Sequence, residues 1–302
     1  MDFPKYDINK YDSKRMVAIP AALFGIALVI VIITFAMTGM PVTPGIDFAG
    51  GTAVTIHTDD TKEEIIAFYD GYNLKAIDEG IGSGGYYLKF GPMSNEEMMK
   101  FNAYTLAEYP DASIDQIGAN FGATLQSQAM WAIFIAFIGM AVVVFIAFRK
   151  IIPAVTVVCA GIADITITAA VMNIVGIELS LATTAALLML IGYSVDSNIL
   201  LTTKVLKRQG TLEEKLSGAF RTGIIMTTTT LGAIVAMFIV AFIGQVPTLY
   251  NIAAVLIIGL ITDIIFTWVF NAGILRLYFA KMEEKPQYTP KQPKKNIKGA
   301  KQ

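Results

Sequence analysis

Six long apolar stretches constrain this chain more than any other feature of its sequence. They lie at residues 17–38, 129–148, 152–172, 180–203, 219–243 and 248–276. Each is close to the ~20 residues that an α-helix needs to cross the hydrocarbon core of a bilayer. Only 16% of the 302 residues are charged, whereas soluble domains average about 25%. We therefore predict an α-helical integral membrane protein, with residues 17–38 as a retained first membrane helix and helices 2–6 within residues 129–276.

The orientation of the helices follows from the basic residues near their ends. Lys and Arg occur in the N-terminal segment 1–16, in the turn between helices 2 and 3, between helices 4 and 5, and in the tail 281–302. The connections on the other side, 173–179 and 244–247, carry no Lys or Arg. We therefore predict a multi-pass protein with both termini cytoplasmic. The Pro- and Lys-rich tail is expected to be unstructured and attracted to anionic membrane lipid.

The connection at residues 40–128 has the length and composition of a domain. It contains 13 Asp and Glu residues against 4 Lys, a net charge of −9, which suits the outer face. Strand patterns occur at 52–58, 74–79, 85–91 and 112–122, and helical patterns at 60–72 and 94–110. The resulting order βαββαβ predicts an α+β ferredoxin-like extracytoplasmic domain. We expect the single histidine, His57, on a strand surface, and the single cysteine, Cys159, as inert packing.

Three aspartates lie inside predicted membrane helices: Asp164 in helix 3, Asp196 in helix 4 and Asp263 in helix 6. An aspartate at the centre of a membrane helix costs about 2.5–3.5 kcal/mol, so we expect these side chains in helix–helix seams. A glycine precedes each of them by about one turn, and small residues allow helices to pack closely. These predicted packing glycines are Gly161, Gly192 and Gly259.

Helix 5 supplies a basic partner for one of these acids. Arg221 lies early in helix 5 and Asp196 lies toward the cytoplasmic half of helix 4, so the two can meet if the helices are antiparallel neighbours. Burial raises the pKa of a carboxyl group and a nearby cation lowers it, which together allow reversible protonation. We predict a proton or ion relay that drives the outer domain and comprises Asp196, Arg221, Asp164 and Asp263. A purely structural role for these acids stays open.

Several other activities find little support in the sequence. Intramembrane aspartyl proteases need paired YD and GxGD motifs, and the corresponding strings are IAD and GYSVD. One histidine and one cysteine do not indicate a metal site, and neither a Walker loop nor a GxGxxG motif after a strand is present. A net charge of −1 gives no sign of a nucleic-acid partner. We predict a protein that is not an enzyme and has no metal, cofactor or nucleic acid.

Three segments together resemble the SecF family. They are PGIDFAGGT (44–52) after helix 1, IGYSVDSNILLTTKVLKR (191–208) in helix 4 and AFRTGIIMTTTTLGA (219–233) in helix 5. The helix 4 segment is similar to the archaeal branch of the family. SecF proteins are the smaller subunit of the SecDF auxiliary complex of the Sec protein translocase, in the RND transporter superfamily. The resemblance covers nearly the whole chain and implies a six-helix RND-type half-bundle in the cell (cytoplasmic) membrane.

The resemblance also implies partners and an activity. The partners are a SecD-type subunit that completes a twelve-helix bundle, a SecYE-type translocon channel and the translocating polypeptide. The implied activity is the promotion of protein export, coupled to proton flow driven by the proton-motive force. The alternative is an RND-type half-transporter that exports lipid or small molecules, which the single large insert at 40–128 disfavours.

Individual residues carry over from the family in the same way. Asp196 and Arg221 match its helix 4 aspartate and helix 5 arginine, and Asp164 matches its helix 3 aspartate. Asp263 has no bacterial counterpart that aligns. The GIDFAGGT motif is expected to be structural, because its glycines allow tight backbone turns where helix 1 enters the domain. Its residues are Gly45, Asp47, Phe48, Gly50 and Gly51.

Overall fold

The computed structural model describes residues 12–79, 85–244 and 246–283. Within them the chain forms, in order, α1 (Ser13–Thr38), α2 (Ile46–Ala49), β1 (Gly51–His57), α3 (Lys62–Phe68), β2 (Leu74–Glu79), β3 (Gly85–Phe90), α4 (Asn95–Glu108), β4 (Ser113–Ile117), α5 (Ala119–Phe148), α6 (Ile151–Val175), α7 (Leu181–Lys207), α8 (Leu212–Ile243), α9 (Pro247–Ile265), a π-helical segment (Phe266–Asn271) and α10 (Ala272–Glu283). The N-terminal segment up to residue 11 and the basic tail beyond residue 283 lie outside the described residues.

Within the described residues, six helical units are long and apolar enough to cross a membrane, which agrees with the predicted number of spans. They are α1, α5, α6, α7, α8 and the continuous unit of α9, the π-helical segment and α10. All six extend beyond the predicted ranges at one or both ends, α5 and the last helix among them. α5 begins at Ala119, directly after β4, so the α/β domain ends before residue 128. The last helix continues to Glu283, past the predicted end at residue 276.

The α/β domain has the predicted ferredoxin-like arrangement. Its four strands form one antiparallel sheet in the order β2-β3-β1-β4, with Val54 of β1 opposite Leu88 of β3 and Ile114 of β4. Alternate residues of the strands face α3 and α4, and this face forms a core with Ile65 and Phe101. His57 is exposed at the end of β1, as predicted.

Side chains fix the starts of both domain helices. Thr61 with Glu64 and Ser94 with Glu97 form capping boxes, in which each side chain satisfies a backbone N–H of the first turn. The backbone and hydroxyl donors of Ser94 lower the pKa of the Glu97 carboxyl. The sequence pattern and the helix starts therefore agree in this domain.

The membrane helices form an inner and an outer group. In α6, α7 and α9, more than half of the residues in the most apolar stretch are buried within the chain. In α1, α5 and α8, about one sixth of them are buried. The outer helices expose many large apolar side chains, as helices in contact with lipid do. The prediction for Cys159 was wrong, because its side chain is exposed on the membrane face of α6.

Candidate functional site

Two aspartates meet in the interior of the bundle. Asp164 of α6 and Asp263 of α9 are 0% and 1% exposed, and their carboxyl groups lie within hydrogen-bonding reach of each other. The Ser194 hydroxyl of α7 donates to Asp164 Oδ2. Thr267 Oγ1 donates to Asp263 Oδ1 at 3.0 Å. Each acid therefore has one oxygen held by a hydroxyl group.

Two asparagines extend this cluster toward the end of the bundle opposite the α/β domain. Asn198 Nδ2 donates to the Ser194 carbonyl oxygen at 2.8 Å, and Asn271 Nδ2 donates to Asn198 Oδ1 at 2.6 Å. Thr267 and Asn271 belong to the π-helical segment. A π-helical turn rotates the residues that follow it relative to a regular α-helix, and such turns are frequent at functional sites. Here the segment directs both polar side chains at the same cluster as Asp263.

Three buried oxygens of the cluster have no hydrogen-bond donor among the described residues: Asp164 Oδ1, Asp263 Oδ2 and Asn271 Oδ1. A buried polar atom without a partner is costly. A proton on one of the two carboxyl groups turns that group into a donor to the other, which satisfies both carboxyl oxygens at once. The arrangement is therefore chemically suited to hold and release a proton inside the bundle.

Asp196 lies on the other side of α7. Residues two positions apart on an α-helix point about 200° away from each other, so Asp196 faces outward while Ser194 faces the cluster. Its side chain is exposed, and so is Gly192 one turn earlier, with open space around the position of a Cβ atom. The expectation that Asp196 and Gly192 occupy a seam does not hold within this chain.

The pairing of Asp196 with Arg221 stays a prediction; both side chains are exposed, on the neighbouring helices α7 and α8. A different cation lies between α7 and α8. Lys204 Nζ donates to the Gly218 carbonyl oxygen at 3.1 Å and to Thr222 Oγ1 at 2.6 Å. This lysine links the C-terminal end of α7 to the first turns of α8.

The other two predicted packing glycines lie in close helix contacts. A Cβ atom at Gly161 would stand 3.2 Å from the sulfur of Met140 on α5. At Gly259 on α9 it would overlap the side chain of Leu190 on α7. The absence of a side chain at Gly259 lets α9 approach α7 beside the cluster, which places Asp263 near Ser194 and Asp164.

The GIDFAGGT motif connects the α/β domain to the start of α7. Asp47 Oδ2 accepts a hydrogen bond from the Leu181 backbone N–H at 2.7 Å. The Gly45 N–H donates to the Leu179 carbonyl oxygen, and the Leu179 N–H donates to the Thr43 carbonyl oxygen, both at 2.8 Å. Residues 43–47 therefore run along the connection between α6 and α7 as a short parallel bridge, which we call the clamp.

The glycines and Phe48 fix the clamp to the domain. Phe48 is buried, 3% exposed. Gly51 has a φ of +150°, and a Cβ atom there would lie 2.5 Å from the Phe90 carbonyl oxygen, so only glycine fits. Gly50 has a φ of +74°. Tight backbone packing at this point leaves the clamp and the sheet little freedom to move apart.

An ion-pair network adds a second link between the domain and α7. Lys89 of β3 lies 3.2 Å from Glu178, in the connection before α7, and 3.1 Å from Asp78 of β2. Although burial works to lower it, Glu178 and Asp78 raise the pKa of the Lys89 amine above its ordinary value. The domain is thus joined to the N-terminal end of α7 by hydrogen bonds and by charge.

Sequence reasoning found the acids of the cluster and missed the groups that surround them. The missed residues are Ser194, Asn198, Thr267 and Asn271. Ser194 and Asn198 are four positions apart, which places them on one face of α7, and this spacing was a usable signal. The π-helical segment has no comparable signal in the sequence.

Comparisons with known proteins agree with the architecture. Residues 98–281 match the family model described as protein export membrane protein SecD/SecF, C-terminal, and residues 35–62 match the SecD/SecF GG motif. The chain is 54% identical over 276 residues to the protein-export membrane protein SecF of Methanolacinia petrolearia, covering 91% of this chain and 97% of that protein. It is 42% identical over 281 residues to that of Pyrococcus furiosus, covering 91% and 94%.

Solved structures share the fold. The crystal structure of SecDF from Thermus thermophilus, a translocon-associated membrane protein, matches with a TM-score of 0.70 at 20% identity, covering 89% of this chain and 38% of that chain. This chain therefore spans well under half of the length of that solved protein. From the family models, the archaeal relatives and the six membrane helices, we conclude that the chain is a multi-pass membrane protein that belongs to the SecF family of protein-export membrane proteins.

Proposed function

We propose that this protein is a non-enzymatic subunit that promotes protein export across the cytoplasmic membrane, together with a SecD-type partner and beside a SecYE-type channel. Proton movement through its membrane helices changes the position of the extracytoplasmic domain, which acts on the translocating polypeptide. The observation that carries this proposal is the pair of buried carboxyl groups, Asp164 and Asp263, on helices adjacent to the one that the clamp holds.

The proton step uses both faces of α7. The Asp164–Asp263 pair holds a proton between its two unsatisfied oxygens, and the hydroxyl of Ser194 links this pair to α7. Asp196 faces outward from the same helix. A charged residue does not face lipid without a large cost, so Asp196 and the Arg221 face of α8 are covered by the SecD-type partner in the assembled complex.

The mechanical step uses the clamp. A change in protonation alters the packing of α6 and α9 against α7, because an ionised pair of adjacent carboxylates repels and a protonated pair does not. α7 begins at Leu181, whose N–H is held by Asp47. Any tilt or shift of α7 is therefore passed to β1 and β3 through residues 43–51 and the Lys89–Glu178 ion pair.

Export measured in membrane vesicles, with and without an imposed proton gradient, tests the coupling. Asp196→Asn and Asp263→Asn remove a titratable group with little change in size, and each should abolish the gradient-dependent part of export while leaving insertion and partner binding intact. Asp111→Asn, on an exposed turn of the domain, is the matched control and should behave as wild type. Full gradient stimulation in both Asn variants would rule out a proton relay through these residues.

Orientation and partnership are tested separately. In a Cys159→Ala background, a cysteine at exposed Lys100 of α4 should react with an impermeant reagent on intact cells, and one at Lys207 should react only after lysis. Purification in mild detergent at native expression should recover a SecD-type subunit in equal amount. Recovery instead as an assembly with itself, carrying bound lipid, would favour a half-transporter.

A further inference from the structure

An apolar groove lies on the membrane face between α5 and α6, at the end of the bundle opposite the α/β domain. Its volume is about 470 Å³, and its lining is almost entirely apolar, with Val142 and Phe145 on one wall and Val155 and Cys159 on the other. These side chains are exposed within the chain. The groove is separate from the carboxyl cluster and from the outward face of Asp196, since it involves neither α7 nor α8.

Two cations lie in the turn that joins the two walls of this groove, within one helical turn of its lining residues Ile146 and Ala154. Arg149 and Lys150 form the turn between α5 and α6, and both side chains are exposed. Neither takes part in the ion pairs found among the described residues. The groove therefore has an uncharged interior and two exposed cations next to one of its ends.

Arg149 occupies a backbone position that disfavours it. Its φ is +51°, the single left-handed value found outside glycine in the described part of the chain. It ends α5 as a C-cap, where glycine or asparagine is usual. A left-handed conformation costs an ordinary side chain about 1–2 kcal/mol. Because arginine occupies this position in spite of that cost, we infer that its positive charge has a role in binding.

The length of the groove identifies the class of occupant. Cys159 lies nine residues after Lys150 on α6, which corresponds to roughly 13 Å along the helix. The hydrocarbon core of a bilayer is about 30 Å thick, so the groove reaches through one leaflet only. A helix of a protein partner that crosses the membrane would extend well beyond the groove. The acyl chain of a single lipid needs only one leaflet.

We propose that the groove between α5 and α6 is a binding site for one anionic phospholipid of the leaflet opposite the α/β domain. The acyl chain lies along Phe145 and Val155, and the phosphate is held next to the end of the groove by Arg149 and Lys150. Arginine and lysine are the side chains that bind phosphate best, by charge-assisted hydrogen bonds. The site gives this subunit a preference for anionic membranes that does not depend on the tail beyond residue 283.

Native mass spectrometry of the full-length protein tests this site. The detergent-purified protein is equilibrated with equal amounts of phosphatidylglycerol and phosphatidylcholine, and the retained lipid is counted. We expect one phosphatidylglycerol to be retained with a preference of roughly 30-fold, because each basic residue near an anionic surface contributes about a factor of five. The double variant Arg149→Ala/Lys150→Ala should lose most of this preference.

The control variant removes the same charge elsewhere. Lys207→Ala/Arg208→Ala alters another connection on the same side, where both side chains are also exposed, and it should retain the preference. Equal losses in the two double variants would show diffuse attraction and overturn the proposal. An unchanged preference in the Arg149→Ala/Lys150→Ala protein would overturn it as well.

The single cysteine tests the apolar half of the site without changing any charge. Alkylation of Cys159 with a bulky maleimide fills the groove and should release the bound phosphatidylglycerol. Cys159→Ser protein treated in the same way should keep its lipid. Continued retention after complete alkylation would contradict the proposal, and so would release accompanied by conversion of a dimer to a monomer, because the groove would then be a contact between two copies of the chain.

Discussion

The two faces of α7 differ in how far their polar groups are satisfied. On the inner face, Ser194 and Asn198 are buried and hydrogen-bonded to α6, α7 and the π-helical segment. On the outer face, Gly192 and Asp196 have open space around them. Both faces come from the same seven residues of sequence, two of which are acidic or amide side chains. The two faces differ because successive residues of a helix point in different directions around its axis.

This difference separates the polar groups that are buried and hydrogen-bonded within this chain from those that, in the proposed complex, contact the partner subunit. The inner face has a carboxyl pair, hydroxyl donors and close glycine contacts within one chain, so its contribution to stability belongs to the isolated subunit. The outer face carries an acid that lipid cannot accommodate cheaply. Substitutions that change the size or remove the hydrogen bonds of inner-face side chains should therefore lower the stability of the isolated chain, whereas substitutions on the outer face should leave that stability unchanged.

The strongest test of this separation compares two aspartates. Asp164→Leu leaves the Ser194 hydroxyl without its acceptor and forces a larger side chain into a filled space, so it should lower the free energy of unfolding by about 3 kcal/mol or more. Asp196→Leu replaces an exposed carboxylate by an apolar side chain and should leave the stability of the isolated chain unchanged or higher. Unfolding in mixed detergent and SDS measures both.

If the two leucine substitutions destabilise the chain equally, the inner face of α7 does not contribute more to its stability than the outer face. Asp164→Asn is the appropriate control for size, because its amide donates to the unsatisfied oxygen of Asp263. It should retain most of the stability that Asp164→Leu loses.

The glycines give a second comparison with a smaller expected effect. Gly259→Ala places a methyl group against Leu190, which is fully buried and has no room to move, so the cost should be about 1–3 kcal/mol. Gly192→Ala faces open space and should change the stability of the isolated chain by less than about 0.5 kcal/mol. It should instead weaken co-purification with the SecD-type subunit. A loss of stability at Gly192 in the isolated chain would contradict this view.

Sequence patterns predicted the membrane spans and the sheet of this protein better than they predicted which face of each helix is buried. Twenty consecutive apolar residues determine a membrane helix, and alternation with turn signals determined the order βαββαβ. In α7, apolar residues lie on all sides, so hydrophobic periodicity does not reveal which face is buried. The side on which Asp196 falls depends on the packing of α9 through Gly259, a tertiary contact.

The π-helical segment Phe266–Asn271 was unpredictable for a related reason. No residue in FTWVFN is excluded from a regular α-helix, so local preference does not select the wider turn. The hydrogen bond between Asn271 and Asn198 and the one between Thr267 and Asp263 favour it only once α7 and α9 are packed together. The clamp was also beyond sequence reasoning, because Asp47 and Leu181 are 134 positions apart.

The third prediction concerns the clamp, which joins the domain to α7 at its first residue, ahead of the segment whose two faces are compared above. Asp47→Ala removes the acceptor for the Leu181 N–H, and loss of a capping side chain costs about 1 kcal/mol. The protein should still fold and bind its partner, while gradient-stimulated export falls. Asp47→Asn keeps an acceptor oxygen and should restore most of the activity. If Asp47→Ala exports at the wild-type rate, the clamp does not transmit motion.

The smallest expected effect is a pH dependence of the contact between the domain and α7. Glu178 and Asp78 raise the pKa of Lys89 above its ordinary value of 10.5 despite its burial. A group whose pKa is higher in the folded state contributes its full stabilisation below the unfolded value and loses it as the pH rises through the folded value. The contribution of Lys89 to the thermal unfolding temperature should therefore be constant from pH 7 to about 10, and the unfolding temperature should fall only above that range.

Lys89→Met removes the charge and should abolish this alkaline decrease, at the cost of a small, pH-independent loss of stability. An identical alkaline decrease in the Lys89→Met protein would assign the effect to other groups, and the link between the domain and α7 would then depend on the hydrogen bonds of the clamp alone.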